Sequence, residues 1–510
     1  MPEMLSRPLE IGALKVLNGH VGLTQCPGQR AGDRAGPRDL DADISAIKAW
    51  GADIVISLLE APEFELLGVA GLPGKLSSAF DWHHLPIRDM QPPDARFERA
   101  WKKLAPRVVQ CLADGGRVLL HCRGGLGRSG TVAARILIEQ GESATRAMAR
   151  VRAARPGAIE TRGQEAFLGN LAMADPGAVA RRIEASLLAG AIGDALGAEI
   201  EFWPLARIRQ AFPEGFDALP QHCGLAGAIT DDTQMTLFTA EGLVDAFFRM
   251  TFKGICHVPS MVHHALLRWY VTQGGAPLMG VDRHGLVADP RLHARRAPGT
   301  TCLSALGSAR NFGDSARNNS KGCGTIMRVA PVALCGASEV ARLAVECSAL
   351  THGHPTAQQA AAAWALILSK VFRGAQIAEA VRACRGQFDE NTEQALAAAV
   401  HAPRDGMPET VETLGAGWVA EEALAIGLYA CLCATTFQHG LTMAVTHSGD
   451  SDSTGAIAGN MLGLLFPDQV FASDWASEVE CRDLISQQAH NLAACAIGRP
   501  EILTRVDPRR

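Results

Sequence analysis

The stretch that decides the fold of the first part of the chain reads His121-Cys122-Arg123-Gly124-Gly125-Leu126-Gly127-Arg128-Ser129. Residues 118–121 before the loop predict a short buried strand, and residues 131–140 after it predict a helix with an apolar face. A strand, a glycine-rich loop and a helix start direct several backbone N–H groups and the positive end of the helix dipole at one point. The stretch therefore predicts an anion-binding loop.

The side chains of this loop suit the transfer of a phosphoryl group. The positive potential favours the thiolate of Cys122, which is the nucleophilic form. The planar fork of Arg128 can hold two phosphate oxygens, and Ser129 can stabilise the thiolate and help it leave. A lone buried cysteine beside a glycine-rich turn is usually inert packing, but the fixed spacing to the arginine argues against that here. We expect the phosphate to be bound by Arg123, Gly124, Gly125, Leu126, Gly127 and Arg128.

The pattern His-Cys-x5-Arg-Ser resembles the signature of the protein tyrosine and dual-specificity phosphatases. Residues 85–94 and 155–161 resemble the branch of the cyclin-dependent-kinase-associated phosphatase. The resemblance implies an α/β phosphatase fold, a phosphocysteine intermediate and no cofactor. It assigns to Asp89 the protonation of the leaving oxygen and the later activation of water. Asp94 is the alternative, but it precedes a predicted helix at 95–113, where a role as N-cap suits it better.

Composition limits the kind of protein. The 510 residues are too many for one hydrophobic core, and 47% hydrophobic with 20% charged residues is ordinary for a globular protein. A net charge of −5 gives no reason to expect a nucleic acid or an anionic membrane as partner. We find neither a secretory signal nor a membrane-spanning apolar run, and the 14 scattered cysteines suit a reducing compartment. A cytoplasmic location is therefore expected.

Two domains are predicted. Helices alternate with short Val/Ile runs in residues 1–175, which indicates an α/β domain with a mainly parallel central sheet. Beyond Asp175-Pro176-Gly177 the strand signal nearly vanishes, and long alanine- and leucine-rich segments recur with helical spacing. Residues 178–505 are therefore predicted to form an all-α domain.

Three acidic motifs punctuate this helical part. They occupy residues 193–202, 230–233 and 447–455, and they combine carboxylates with hydroxyl groups. Such clusters suit hard divalent cations, above all magnesium. Helix capping is the simpler explanation for single residues. It does not explain adjacent acids at two helix starts, where mutual repulsion calls for a cation.

The three motifs, together with residues 319–331 and 351–352, resemble the ADP-ribosylglycohydrolases, and in particular the group of the dinitrogenase-reductase-activating glycohydrolase. The resemblance covers nearly all of residues 181–500 and implies an all-helical domain with two magnesium ions. Glu201 matches a glutamate near the scissile bond, as base for water or as a group that positions the ribose. The substrate linkage looks closer to arginine than to serine. The implied metal ligands are Thr230, Asp231, Asp232, Asp450, Asp452 and Ser453.

These patterns predict a bifunctional hydrolase that removes phosphate and ADP-ribose from modified proteins, which would be its partners. Two alternatives stay open. One half could serve only as a binding module for phosphoproteins or for ADP-ribose, or both substrates could be small molecules such as phosphoinositides.

Overall fold

The computed structural model describes residues 8–30, 37–140, 142, 144–172 and 175–504. Residue 505, where the second predicted domain ends, lies outside this set, as do residues 1–7 of the first. The chain forms two compact units, Met1–Asp175 and Pro176–Arg510. Within the described ranges, no helix is both long and apolar enough to cross a lipid bilayer.

A five-stranded sheet forms the centre of the first unit. Its strands are β1 (Gly12–Val16), β2 (Gly19–Thr24), β3 (Ile54–Ser57), β4 (Asp81–His84) and β5 (Arg117–His121). Their order is β1-β2-β5-β3-β4, and only the β1–β2 pairing is antiparallel. The prediction of a mainly parallel sheet is confirmed. The helices are α1 (Leu40–Trp50), α2 (Ala61–Leu66), α3 (Leu72–Ala79), α4 (Ala95–Ala113), α5 (Gly127–Glu139), α6 (Ala144–Ala154) and α7 (Arg162–Ala172).

Elements with strong apolar patterns match their predicted bounds. β3 is buried along its length because it lies between two parallel neighbours, and the run Ile54-Val55-Ile56-Ser57 predicts a strand with the same bounds. α4 buries side chains at helical spacing, including Phe97, Trp101 and Leu104. β1 and β2 were not predicted, because the glycines of Gly19–Thr24 weaken the strand pattern.

The helix after the decisive loop begins earlier than its apolar pattern indicates. α5 starts at Gly127, so Arg128 and Ser129 belong to its first turn rather than to the preceding loop. The sequence pattern placed the start at residue 131, because only the apolar residues carry the helical period. The early start keeps the side chain of Arg128 close to Cys122.

The second unit is mostly helical, in agreement with the prediction, apart from a short hairpin of β6 (Gln221–His222) and β7 (Leu225–Ala226). Its helices are α8 (Pro176–Gly197), α9 (Leu205–Ala211), α10 (Asp231–Lys253), α11 (Val258–Thr272), α12 (Thr300–Ser308), α13 (Ala330–Leu334), α14 (Val340–Ala349), α15 (Pro355–Phe372), α16 (Ile377–Cys384), α17 (Glu390–His401), α18 (Pro408–Glu412), α19 (Ala420–Cys433), α20 (Phe437–Val445), α21 (Ser451–Leu465), α22 (Pro467–Ala472), α23 (Trp475–Glu478) and α24 (Arg482–Ile497).

Helices α8 and α21 pack backbone against backbone at the centre of this unit. A Cβ atom built on Gly455 would lie 2.3 Å from the carbonyl oxygen of Gly193, and one on Gly193 would lie 2.1 Å from that of Gly455. Gly459 and Gly463 make equally close approaches to α8. This contact fixes the start of α21 beside the end of α8, and both ends carry acidic motifs.

Replacing Gly455 with alanine is expected to destabilise the second unit. The added methyl group has no space against a backbone carbonyl, so the two helices must separate, at a cost of about 1–3 kcal/mol in the free energy of unfolding. Urea unfolding followed by circular dichroism measures the change. Gly280→Ala is the control, because a Cβ there meets no atom within 4 Å. Equal stability of the two variants would contradict the prediction.

Candidate active sites

The loop after β5 forms a small pocket that holds the predicted thiol. Cys122 is buried, with 3% of its surface exposed. The pocket has a volume of about 250 Å³ and brings together three of the predicted catalytic side chains, Cys122, Arg128 and Asp89. It is also lined by Gln25, Gln29, Met90, Arg123, Gly124 and Glu160.

Arg128 is fixed in this pocket by two carboxylates. Its guanidinium donates to Glu63 in a bidentate pair, with Nη1 to Oε2 at 2.6 Å and Nη2 to Oε1 at 3.0 Å. Nη2 also lies 3.0 Å from Oδ1 of Asp89, and Nη1 donates to the carbonyl oxygen of Ile87 at 3.2 Å. A guanidinium held in this way is preorganised to receive phosphate oxygens.

Glu63 was not found from the sequence. It lies on α2, and its Oε2 also accepts a hydrogen bond from the backbone N–H of Glu60, as in an ordinary capping box. That local role hides the second one, because nothing in the sequence near residue 63 indicates an arginine 65 positions away. Glu63 acts through Arg128 and is therefore a positioning residue.

The two candidate acids have different environments. The side chain of Asp89 is 49% exposed and lies beside Arg128 at the pocket. Asp94 instead accepts hydrogen bonds from the backbone N–H groups of Arg96 and Phe97, both at 2.9 Å, and so caps α4. The expected capping role of Asp94 is confirmed, and Asp89 is the acid that lines the pocket together with Cys122.

Of the remaining residues of the loop, some line the pocket and others support the backbone of the loop. Gly125 has a φ of 71° and its Cα faces the backbone of Thr24, where a Cβ would lie 2.4 Å away. Arg123 is exposed at the pocket rim, while Leu126 is half-buried and Gly127 is buried. The Oγ of Ser129 is buried without a hydrogen-bond partner among the described residues, and Ser129 is not among the residues that line the pocket.

His121 supports the loop from behind. Its Nε2 lies 2.5 Å from Oγ of Ser57, which also accepts a hydrogen bond from Trp82 Nε1 at 2.8 Å. Complete burial lowers the pKa of His121 from 6.5 to about 3. The imidazole is therefore neutral in the folded chain at neutral and mildly acidic pH.

This neutral histidine predicts an acid-sensitive first unit. Below pH 6.5 the unfolded chain binds a proton at His121 that the folded chain excludes, until the pH reaches about 3. The free energy of unfolding should then fall by up to about 1.4 kcal/mol for each pH unit. Hydrogen exchange of peptides covering β5 measures this slope. His121→Gln should reduce it, and His20→Gln on β2 should leave it unchanged; equal slopes would refute the assignment.

A second cavity lies where the acidic motifs meet. It has a volume of about 370 Å³, and its polar lining includes five carboxylates, those of Glu201, Asp231, Asp232, Asp450 and Asp452. α10 begins with Asp231, and α21 begins just after Asp450. One carboxylate oxygen from each of Glu201, Asp450 and Asp452 lies within 4.8 Å of the others. Two helix N-termini therefore direct their first acidic residues into one cavity.

The carboxylates of this cavity are buried close to one another without a compensating charge among the groups that line it. Burial, followed by the charges of Asp452 and Asp194, raises the pKa of Asp232 well above its usual value. Burial together with the neighbouring acids likewise raises the pKa of Asp231 to about 8 and that of Glu201 to about 10. Oδ1 of Asp232 is buried with no hydrogen-bond partner among the described residues. Such a donor set fits a divalent cation.

The other predicted ligands are more strongly engaged. The hydroxyl of Thr230 donates to Oδ1 of Asp194 at 2.8 Å and lies 3.4 Å from Oδ2 of Asp452. The hydroxyl of Ser453 is buried and lies 3.6 Å from Sγ of Cys323. Both side chains border the acidic cluster, and each retains an oxygen lone pair that could face a cation.

Three features of this cavity were missed. Asp194 accepts from the backbone N–H and hydroxyl groups of Thr230 and Thr233, and so holds the first turn of α10 in place. Cys323 donates to Oδ2 of Asp450 at 2.8 Å. The exposed rings of Phe202 and Trp418 stack at the rim with centroids 4.8 Å apart. Asp194 and Phe202 stand within the first acidic motif and Cys323 stands within residues 319–331, whereas Trp418 lies in none of these stretches.

Comparison with known families follows this geometry. The ADP-ribosylglycohydrolase family model matches residues 175–501. The chain belongs to this family. Residues 39–168 match a second model, described as "Swiss Army Knife protein, DSP-PTPase phosphatase domain". The chain is thus a fusion of two hydrolase families, as predicted. The ADP-ribosylglycohydrolase family is metal-dependent, which agrees with the acidic cluster.

Individual relatives match the glycohydrolase part. The ADP-ribosyl-[dinitrogen reductase] glycohydrolase of Rhodospirillum rubrum is 25% identical over 303 residues, which cover 57% of this chain and 88% of that protein. The ADP-ribosylarginine hydrolase Tri1 of Pseudomonas putida is 26% identical over 320 residues, which cover 61% of this chain and 77% of that protein.

Two solved structures each cover part of this chain. An ADP-ribosylglycohydrolase-related protein complex is 24% identical, with a TM-score of 0.46, and covers 62% of this chain and 99% of its own. A kinase associated phosphatase is 26% identical, with a TM-score of 0.29, and covers 32% of this chain and 93% of its own.

Proposed function

We propose that this ADP-ribosylglycohydrolase family member is a bifunctional enzyme. Its first unit hydrolyses phosphate esters through Cys122, and its second unit releases ADP-ribose from modified protein with the help of two magnesium ions. The observation that carries the second activity is the convergence of Glu201, Asp450 and Asp452 in one buried cavity with the acids of α10. The shared pocket of Cys122, Arg128 and Asp89 carries the first.

The proposed phosphatase reaction has two steps. The thiolate of Cys122 attacks phosphorus, and the bond to the leaving oxygen breaks as Asp89 gives that oxygen a proton. Arg128, held by Glu63, binds the phosphoryl oxygens as their charge develops. Water then attacks the phosphocysteine, Asp89 takes a proton from the water, and the sulfur leaves as a thiolate that Ser129 can stabilise.

In the second unit, the carboxylates of Asp231, Asp232, Asp450 and Asp452 would hold the cations, with Thr230 and Ser453 as neutral ligands. When bound, the cations supply positive charge that orients the ribose hydroxyl groups and polarises water. Glu201 lines the same cavity and hydrogen-bonds the ribose or the attacking water at the anomeric carbon. The stacked rings of Phe202 and Trp418 at the rim offer an apolar face for a planar group of the substrate.

Arginine is the proposed attachment residue, because a relative matching 61% of this chain is an ADP-ribosylarginine hydrolase. Incubation with arginine- and serine-ADP-ribosylated peptides should release ADP-ribose from the first at least about tenfold faster, a difference of about 1.4 kcal/mol in the activation free energy. Liquid chromatography of free ADP-ribose measures both rates. Chelation with EDTA should stop release, and added magnesium should restore it. Equal rates for both peptides would refute the linkage, and release in EDTA would refute the metal requirement.

A further inference from the structure

Helix α4 of the first unit presents a row of cations that neither proposed activity uses. The helix carries five basic side chains and one acidic one. Arg96, Arg99, Lys103 and Arg107 recur at intervals of three and four residues, so they share one helical face. All four are exposed. The single acid of the helix, Glu98, pairs with Arg135 and therefore does not neutralise this row.

The row borders a groove between α4 and the edge strand β4. The groove has a volume of about 1030 Å³ and no carboxylate in its lining, which includes Lys102, His83 and His84. Nearby Asp81 pairs with Arg107 at 2.7 Å, and its Oδ1 lies 3.1 Å from Nε2 of His83. Within the part of the chain that the structure describes, Arg99, Lys102 and Lys103 have no salt-bridge partner, so these charges are available to an anion.

The shape of the groove favours an extended polypeptide. β4 is hydrogen-bonded to a strand on one side only among the described residues, so its other edge can pair with a further strand. From Arg96 to Arg107 the helix rises about 16 Å. An extended segment of about five residues spans the same distance, with alternate side chains facing one side.

Other polyanions fit this groove less well. The exposed large apolar residues of the first unit, Leu17, Leu66 and Met90, do not line it, so it lacks anchors for a membrane. It contains no Phe, Tyr or Trp on which single-stranded bases could stack. The net charge of −5 for the whole chain also opposes long-range attraction of a nucleic acid.

We propose that this basic groove, defined by Arg96, Arg99, Lys103 and Arg107 of α4 together with His83 of β4, binds an extended acidic segment of another protein. Carboxylates of the segment pair with the α4 row, and its backbone adds to the free edge of β4. The binding is independent of either hydrolase activity.

Fluorescence anisotropy of a labelled peptide of alternating glutamate and valine, about ten residues long, tests the proposal on the full chain. The double variant Arg99→Glu/Lys103→Glu should weaken binding at least about tenfold, because two attractive pairs become repulsive. Lys15→Glu/Lys48→Glu makes the same change in net charge at exposed sites of the same unit, and should weaken binding less than about twofold. A peptide with glutamine in place of glutamate should not bind.

Several outcomes would overturn the proposal. No saturable binding of the glutamate peptide, or equal weakening in both double variants, would exclude the groove as its site. Binding of an oligothymidylate or of phosphatidylserine vesicles without binding of the peptide would exclude a polypeptide occupant. Hydrolysis of para-nitrophenyl phosphate should be unchanged in both double variants, which shows that the first unit is folded. Should the glutamate variant misfold, Arg99→Gln/Lys103→Gln should still weaken binding more than Lys15→Gln/Lys48→Gln.

Discussion

Replacing Cys122 with serine is expected to abolish hydrolysis of para-nitrophenyl phosphate. A serine hydroxyl stays protonated at neutral pH and is a far weaker nucleophile than a cysteine sulfur. The rate should fall by at least about 10⁴-fold, as for other enzymes that lose their nucleophile. Initial rates measured by absorbance of the released nitrophenolate give the effect.

Two controls for this variant use a second cysteine of the first unit and the activity of the second unit. Cys111→Ser changes a partly exposed cysteine that does not line the pocket, and it should keep nearly full activity. Release of ADP-ribose should be unaffected by Cys122→Ser, because a separate compact unit carries that site. Retention of more than about a tenth of the phosphatase rate in Cys122→Ser would exclude covalent catalysis by this residue.

Replacing Asp452 with asparagine is expected to stop the second activity. The side chain of Asp452 belongs to the three-carboxylate cluster, and its negative charge would hold the cations. Asparagine keeps the size and one oxygen but loses the charge. ADP-ribose release should fall by more than the 10- to 100-fold typical of residues that only support a ligand, that is, at least about 10³-fold. Magnesium affinity, measured by isothermal titration calorimetry, should fall with it.

The same variant separates a ligand role from a structural one. Burial raises the pKa of Asp452, and it also raises the pKa values of the neighbouring Asp450 and Asp232. Removing one charge should therefore stabilise the metal-free chain at neutral pH, while a residue needed only for packing would destabilise it. Thermal unfolding in EDTA distinguishes the two. Asp474→Asn, at an exposed position outside the cavity, should change neither activity nor stability; a destabilised Asp452→Asn would contradict the ligand role.

Sequence patterns predicted those parts of the fold that depend on residues close to one another in the sequence. β3 begins with three consecutive apolar residues, and α4 repeats its apolar residues every three or four positions, so both could be delimited in advance. β1 and β2 could not, because their stability comes from pairing with each other and with β5, not from their own glycine-containing patterns. The start of α5 was misplaced for a related reason. Its first turn is held by the loop and not by an apolar face.

The two candidate sites differ in how far apart their residues lie in the sequence. Cys122 and Arg128 stand in one loop, so their proximity follows from covalent spacing and a glycine-permitted turn. Thr230 and Asp452 are separated by 222 residues, and their approach depends on the glycine contact between α8 and α21 and on the packing of α10 nearby. The sequence could identify the predicted metal ligands as a set, but it could not give the distances between them.

By itself, the sequence determined that this chain joins a cysteine phosphatase loop to a helical unit with three acidic motifs. Both features consist of short contiguous stretches of residues, so they can be recognised without the fold. Only the tertiary structure decided that Glu63 holds Arg128, that Asp194 holds the first turn of α10, and that a cationic row of α4 lines one groove with His83 and His84 of β4. Hydrogen bonds and charges act through space over a few ångströms, and which distant segments come that close is settled by packing of the whole unit.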